Sequence, residues 1–218
     1  AVLGLTVPFR AGSGTMGPMP APTPGSTIQT QRGESFVVGR VLGAGGMGTV
    51  VEGLHQGSGR RFALKFLHDE LLGHPTVPKR FAREVELASS LTTAHVARTF
   101  GVELTPSGVP FMIMELLSGR DLSTLLKLER KLPIVRATRI VAQACEALEE
   151  AHAHGIVHRD VKPENLFLSP AADGGDWVKV LDFGISKIMD DAESNAGGPA
   201  LTRVGTTVGT PEYMSPEQ

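Results

Sequence analysis

His158-Arg159-Asp160-Val161-Lys162-Pro163-Glu164-Asn165, followed further on by Asp182-Phe183-Gly184, is the most informative stretch of this chain. Read as chemistry, it offers a carboxylate at Asp160, an ammonium at Lys162, a carboxamide at Asn165 and a second carboxylate at Asp182. Those groups suit the movement of a phosphoryl group. A carboxylate orients an attacking hydroxyl and takes its proton, a lysine neutralises the moving phosphate, and hard oxygen donors hold Mg2+. Between them, Leu166-Phe167-Leu168 and Val178-Lys179-Val180-Leu181 read as two short strands around a polar turn, Ser169 to Trp177. Such a hairpin brings residues 165 and 182 to one strand end, within reach of the same metal.

Composition sets the frame around this stretch. The chain has 218 residues, 41% of them apolar, and a net charge of −2. That is enough for one or two domains with a sizeable core, and it excludes a basic nucleic-acid binder. No apolar run approaches the roughly 18–20 residues of a membrane span. The first residues lack the basic flank and apolar stretch of a signal peptide, and the absence of an initiator Met points to an incomplete or processed sequence. Cys145 stands alone in a helical pattern, so it forms no internal disulfide and is expected to be a buried structural thiol in a reducing compartment.

Taken in order, residues 1–34 are rich in Pro, Gly, Ser and Thr and are expected to form a flexible or polyproline-like leader, a place where a proline-reading module could dock. Order is expected from about Phe36. A strand there leads to a glycine turn, Gly43-Ala44-Gly45-Gly46-Met47-Gly48, and a second strand begins at Thr49. A dinucleotide-binding fold would open a helix after such glycines, with an acidic residue about 20 positions on. Here a β-branched run follows, so the turn reads as a hairpin lid whose backbone N–H groups can approach phosphates. Arg61 to Leu67 alternates as a third strand and carries Lys65. Pro78 starts a helix with Phe81, Val85 and Ala88 on one face. Val96–Val102 and Val109–Glu115 complete a five-stranded antiparallel sheet, and Ser118-Gly119 marks a break between two lobes. Ile134 to Ala151 forms a helix with Ala137, Val141, Ala144, Leu148 and Ala151 on one stripe. His152, His154 and His158 lie close in sequence, but their spacing suits no single helix face, which argues against a metal site.

The order HRDVKPEN, then DFG, resembles the catalytic and metal-binding loops of the eukaryotic-like protein kinases. The resemblance runs from about Phe36 to Gln218. It implies an α+β, bilobal protein-kinase-like fold, with a five-stranded antiparallel N-lobe and helix C at 35–117 and a truncated, mainly helical C-lobe at 118–218. By the same resemblance Gly43, Gly45, Gly48 and Val50 match the kinase phosphate loop, and Ala63-Leu64-Lys65 matches the strand whose lysine pairs with the α- and β-phosphates. Glu84 resembles the helix-C glutamate that anchors this lysine, with Glu86 as its rival. Met114 falls at the gatekeeper position, and the Glu115 carbonyl and Leu117 N–H are placed to hold adenine. Asp121 matches the ribose contact, while Leu42, Val50, Ala63 and Phe167 would sandwich the base. The segment from Ile185 to Thr207 corresponds to an activation segment, closed by Ser215-Pro216-Glu217. Arg159 looks like the arginine that grips a phosphorylated loop, with Thr202, Thr206 and Thr207 as the candidate sites.

Lys162 and Gly209-Thr210-Pro211-Glu212-Tyr213 are similar to the serine/threonine class, and the Gly-Gly-Met-Gly loop to its bacterial branch. The resemblance therefore implies transfer of the γ-phosphoryl group of MgATP to Ser or Thr hydroxyls of protein substrates. Asp160 would be the base, Lys162 the γ-phosphate contact, and Asn165 and Asp182 the Mg2+ ligands. No nucleic-acid partner and no membrane segment are expected, and the expected location is cytoplasmic. The sequence leaves the oligomeric state open. A departure comes at Gln218, where kinases continue with further helices. The chain is thus expected to be a fragment, poorly stable and inactive alone. A nucleotide-binding pseudokinase scaffold is the alternative, although the lysine and both aspartates are present. A small-molecule phosphotransferase would not be expected to carry Lys162 or the Ser-Pro-Glu motif.

Overall fold

A computed structural model gives the structure of residues 22–45, 48–72, 77–183 and 211–213. The chain divides into two units, Ala1–Ser89 with Arg98–Leu116, and Ser90–Ala97 with Leu117–Gln218.

The first unit is built on a six-stranded antiparallel sheet in the order β1-β2-β3-β4-β6-β5. Its strands are β1 (Thr27–Gln29), β2 (Ser35–Gly45), β3 (Gly48–His55), β4 (Arg61–Leu67), β5 (Thr99–Leu104) and β6 (Pro110–Glu115). Alternation sets the two faces, because successive side chains of a strand point oppositely. Phe62, Leu64 and Phe66 of β4 join Phe36, Val38, Val51, Phe111 and Ile113 in one core. Phe66 stacks on Phe111 at 5.0 Å and Phe100 meets Phe62 edge-on at 5.4 Å. The intervening residues of β4, Ala63 and Lys65, face the other way. One-turn α1 (Asp69–Leu72) and α2 (Val77–Ser89) follow β4, and α2 packs on β5. Val77, Phe81, Val85 and Ala88 are its buried face, at the spacing of one helical stripe.

Three expectations need correction here. The sheet has six strands, not five, and order starts well before Phe36. Thr27–Gln29 pairs with Ser35–Val37, and Ile28 is buried in the core. Three residues cannot show a period, so the Pro- and Gly-rich context hid them. Beyond β1, Gln31 N–H donates to Leu104 O (2.8 Å) and Arg32 pairs with buried Glu103 (3.2 Å), so the sheet curls until its two edges meet. Burial pushes the Glu103 carboxyl above its ordinary value, against the opposing pull of Arg32. The fourth expected strand is also displaced. β5 begins at Thr99, whereas Val96 bridges Val180 in the second unit.

The second unit holds a three-stranded sheet, β7 (Arg120–Asp121), β8 (Leu166–Pro170) and β9 (Asp176–Val180), with α3 (Leu122–Glu129) and α4 (Ile134–Ala153). Leu125, Ile140, Leu168 and Val178 form its core, with Leu122 and Leu132 against it. Helix α4 stops where Gly155 takes φ +70, the left-handed conformation that closes helices. The hairpin expected around Ser169–Trp177 is present as β8–β9, in register Leu166↔Val180. Arg136 on α4 grips Asp176 through Nε and Nη2 at 2.7 and 2.9 Å, fixing the start of β9.

The α4 stripe is rotated from the expected one. Ile140, Ala144, Ala147 and Ala151 are buried, while Val141 is exposed. Apolar residues span a wider arc of this helix than one partner covers, and β9 selects the Ile140 flank. Cys145, one position past Ala144, turns out of that flank and is exposed rather than buried. Among the described residues, no helix is long and apolar enough to cross a membrane.

Candidate active site

Asp160 sits in the loop between α4 and β8. Pro163 opens a 3-10 turn, Pro163–Asn165, and a residue before proline is pushed to extended backbone. Lys162 accordingly takes φ −154 and ψ 165. Its Nζ lies 2.8 Å from Asp160 Oδ2. Asn165, at the far end of the turn, donates through Nδ2 to Asp160 O (2.7 Å) and to the same Oδ2 (3.1 Å). Two donors therefore converge on one carboxylate oxygen. Among the described residues the other, Oδ1, has no hydrogen-bond partner.

The loop is tied to the segment that follows β9 and leads to Asp182. Leu181 N–H donates to Asn165 O (2.9 Å), and Leu181 O accepts from His158 Nε2 (2.7 Å). His158 receives Asp160 N–H at Nδ1 (3.3 Å), and its ring meets Phe183 at 4.7 Å. These bonds require a neutral ring protonated on Nε2. Burial lowers the His158 pKa, and the Leu181 carbonyl and the carboxylates of Asp182 and Asp160 only partly offset this. The unfolded chain therefore binds this proton first. Stability is full above the ordinary value of 6.5, declines as pH falls below it, and levels off below the folded value. His158→Gln is expected to flatten that decline in melting curves taken between pH 5 and 7; an unchanged slope would exclude the residue as its source.

Two residues of this loop system hold left-handed backbone without being glycine, Arg159 at φ 66 and Asp182 at φ 57. Arg159 is exposed. Asp182 and Asn165 meet the Mg2+ test by donor chemistry. With its nitrogen spent on Asp160, Asn165 keeps a carboxamide oxygen, and Asp182 supplies a carboxylate next to Leu181, whose N–H bonds Asn165 O. One or two such oxygens with substrate phosphates are what Mg2+ requires. Among the described residues there is no cluster of three His, Cys, Asp or Glu side chains that would suggest a different metal, the adjacent histidines included.

In the first unit, Lys65 is 5% exposed on β4, in register with Val50 on one side and Met112 on the other. Ala63 stands opposite Met114 on the same sheet face. Glu84 falls on α2 in the turn carrying Phe81 and Val85, and its side chain lies outside the described residues. The three glycines of the hairpin differ. A Cβ on Gly48 would come within 1.9 Å of Phe66 O, so the sheet itself demands glycine there. A Cβ on Gly43 or Gly45 would meet nothing within 4 Å. Their bare backbone instead leaves open room above the hairpin, as a phosphate chain needs. Leu42 is exposed and Val50 half-buried beside it.

The remaining expected contacts carry local roles that sequence did not reveal. Glu115 accepts Arg98 N–H at Oε1 (2.6 Å) and donates its own N–H to Arg98 O (2.9 Å). Asp121 is the N-cap of α3, accepting from Thr124 N–H and Oγ1, both at 2.7 Å. Leu117 is half-buried in the second unit, and Phe167 pairs with Asp121 across β7 and β8. Gly184, Thr202, Thr206, Thr207 and the Ser215-Pro216-Glu217 motif lie outside the described residues. Sequence reasoning missed Gln143 and His95, which bond the backbone of β9, and Glu150, which holds residues 92–93; no pattern marks them.

A family profile described as protein kinase domain matches residues 36–218. The chain is 42% identical over 183 residues to the serine/threonine-protein kinase pkn3 of Myxococcus xanthus, covering 84% of this chain and 33% of that protein. It is 42% identical over 184 residues to Pkn1 of the same organism, covering 84% of this chain and 25% of that one. The crystal structure of the Mycobacterium tuberculosis PknI kinase domain superposes with a TM-score of 0.62 at 29% identity, over 75% of this chain and 63% of that one. The chain thus spans about a third or less of the length of these curated relatives.

Proposed function

Because the chain belongs to the protein kinase domain family, we propose that it is the phosphotransfer region of a serine/threonine protein kinase, acting on protein substrates with ATP. The carrying observation is the Asp160 carboxylate, oriented through Oδ2 by Lys162 and Asn165 and left with Oδ1 to accept. In this reading Oδ1 takes the proton of a Ser or Thr hydroxyl as that oxygen bonds to the γ-phosphorus. The bond from the γ-phosphorus to the β-γ bridging oxygen breaks, and ADP leaves. Lys162 follows the charge on the γ-phosphoryl group, and Lys65, anchored by Glu84, fixes the α- and β-phosphates. Gly43, Gly45 and Gly48 cover the phosphates with backbone N–H groups. By the family resemblance, Leu42, Val50, Ala63, Met114 and Glu115 of the first unit, and Leu117, Asp121 and Phe167 of the second, are assigned to ATP. Asn165 and Asp182 hold the Mg2+, which when bound neutralises the charge of the phosphates. The transition state is loose, so positioning and electrostatics account for most of the rate.

By the same family resemblance, Arg159 would receive a phosphate on Thr202, Thr206 or Thr207. A site that consumes ATP fits the cytoplasm. The test is labelled ATP with a generic basic protein and the complete kinase: label on Ser or Thr supports the reading. Label confined to tyrosine or to a small acceptor, or none transferred, rejects it.

A further inference from the structure

Strand β9 lies at the edge of its sheet, yet the polar groups along its outer side are filled one after another. Asp176 O accepts from Gln143 Nε2, and Val178 N–H donates to Gln143 Oε1, both at 3.0 Å. One carboxamide thus plays the part of a peptide group in a neighbouring strand. Val178 O then accepts from His95 Nδ1 at 2.9 Å. Next, Val180 N–H donates to His95 O (2.8 Å) and Val180 O accepts from Ala97 N–H (2.9 Å). The His95 ring is held in turn by Trp177, at 4.7 Å, and by Glu146 Oε2, 3.5 Å from Nε2. The segment 92–93 that leads into it is pinned to α4 by the Glu150 carboxylate.

These bonds matter because the strand is dry and its continuation is strained. Val178 and Val180 are 0% and 1% exposed, and buried backbone groups without partners are rarely tolerated. Immediately beyond, Leu181 is held on both sides by Asn165 and His158, and Asp182 takes φ 57. A non-glycine residue keeps that conformation only when its surroundings impose it. We propose that Gln143 and His95 are positioning residues for Asp182, their side chains standing in for an absent strand and fixing the end of β9, two residues before Asp182. This rests on the reading that Asp182 helps to hold the Mg2+ of ATP.

The test uses the complete protein. His95→Phe keeps a ring against Trp177 without the donor, and Gln143→Met keeps chain length without either amide partner. Amide exchange at Val178 and Val180 should rise in both. The Mg2+ concentration that half-supports ATP binding should rise about 10-fold, the lower end of what losing support behind a metal ligand costs. The KM for protein substrate should stay within about twofold. His95→Asn, whose Nδ2 can reach the Val178 carbonyl, should restore the Mg2+ requirement to within about threefold of wild type. Should both disruptive variants fail to fold, isosteric Gln143→Glu keeps the Val178 bond alone and should show a smaller shift in the same direction. An unchanged Mg2+ requirement in folded variants, even with faster exchange, or no rescue by Asn, overturns the positioning role. A wild-type protein without Mg2+-dependent ATP binding instead overturns the phosphotransfer reading, and the role of Asp182 with it.

Discussion

Replacing Asp160 with Asn is expected to slow phosphoryl transfer about 10²–10⁴-fold, the range that a positioned general base supplies, in a protein that folds and binds ATP as before. The substitution is isosteric, and its carbonyl oxygen can still accept from Asn165 Nδ2, which bonds Asp160 O and Oδ2 at 2.7 and 3.1 Å. What the carboxamide cannot do is take a proton. The contact to Lys162 at 2.8 Å need not be lost, because the same carbonyl oxygen can accept from Lys162 Nζ. The effect on rate should therefore far exceed the effect on stability. Steady-state kinetics, an ATP titration and a melting curve on the same preparation check it. Turnover within about threefold of wild type would remove Asp160 from the role of base, and a lost melting transition would trace the defect to folding.

The parts of this protein that were legible beforehand are those whose signal is local. The HRDVKPEN loop, the β8–β9 hairpin and the buried face Phe81, Val85 and Ala88 of α2 each declare themselves within one short window. Features made by distant pairs were not legible. β1 is three residues long and exists because Ile28 finds the sheet core and the following turn finds Leu104. The α4 stripe was misplaced because that helix carries apolar residues over a broad arc, and only contact with β9 decides between Ala144 and Val141. That choice also turns Cys145 outward. Asp121 shows the converse: a residue marked by its motif position also caps α3, a use its own neighbour Thr124 could have signalled. Left-handed backbone at Arg159 and Asp182 leaves no trace in residue type, and Arg130 shares it at the C-cap of α3. Strain therefore marks a site only in company with the contacts around it.

Lys65→Met is the second large expected loss, about 10²–10³-fold in kcat/KM, the scale of removing one preorganised electrostatic contact to a reacting group. Lys65 is 5% exposed in the middle of β4, bracketed by Val50 and Met112 across the ladder. An ammonium in such a place costs free energy unless its charge is used. Methionine matches the length of the lysine stem without its charge, so the sheet can accept it without overpacking. The melting temperature should stay within about 5 °C of wild type, equivalent to roughly 1 kcal/mol for a unit of this size. Lys65→Arg is the complementary variant. It keeps the charge but spreads it over a planar fork that does not fit the same slot, so it too should be impaired. The pattern across the two separates the causes. If charge alone mattered, Arg would rescue; if volume alone mattered, Met would. Loss in both, with the fold intact, requires an ammonium at that point of the sheet, as contact with the α- and β-phosphates demands. Near-normal turnover by the Met variant would instead make Lys65 a tolerated buried charge with no part in the transfer.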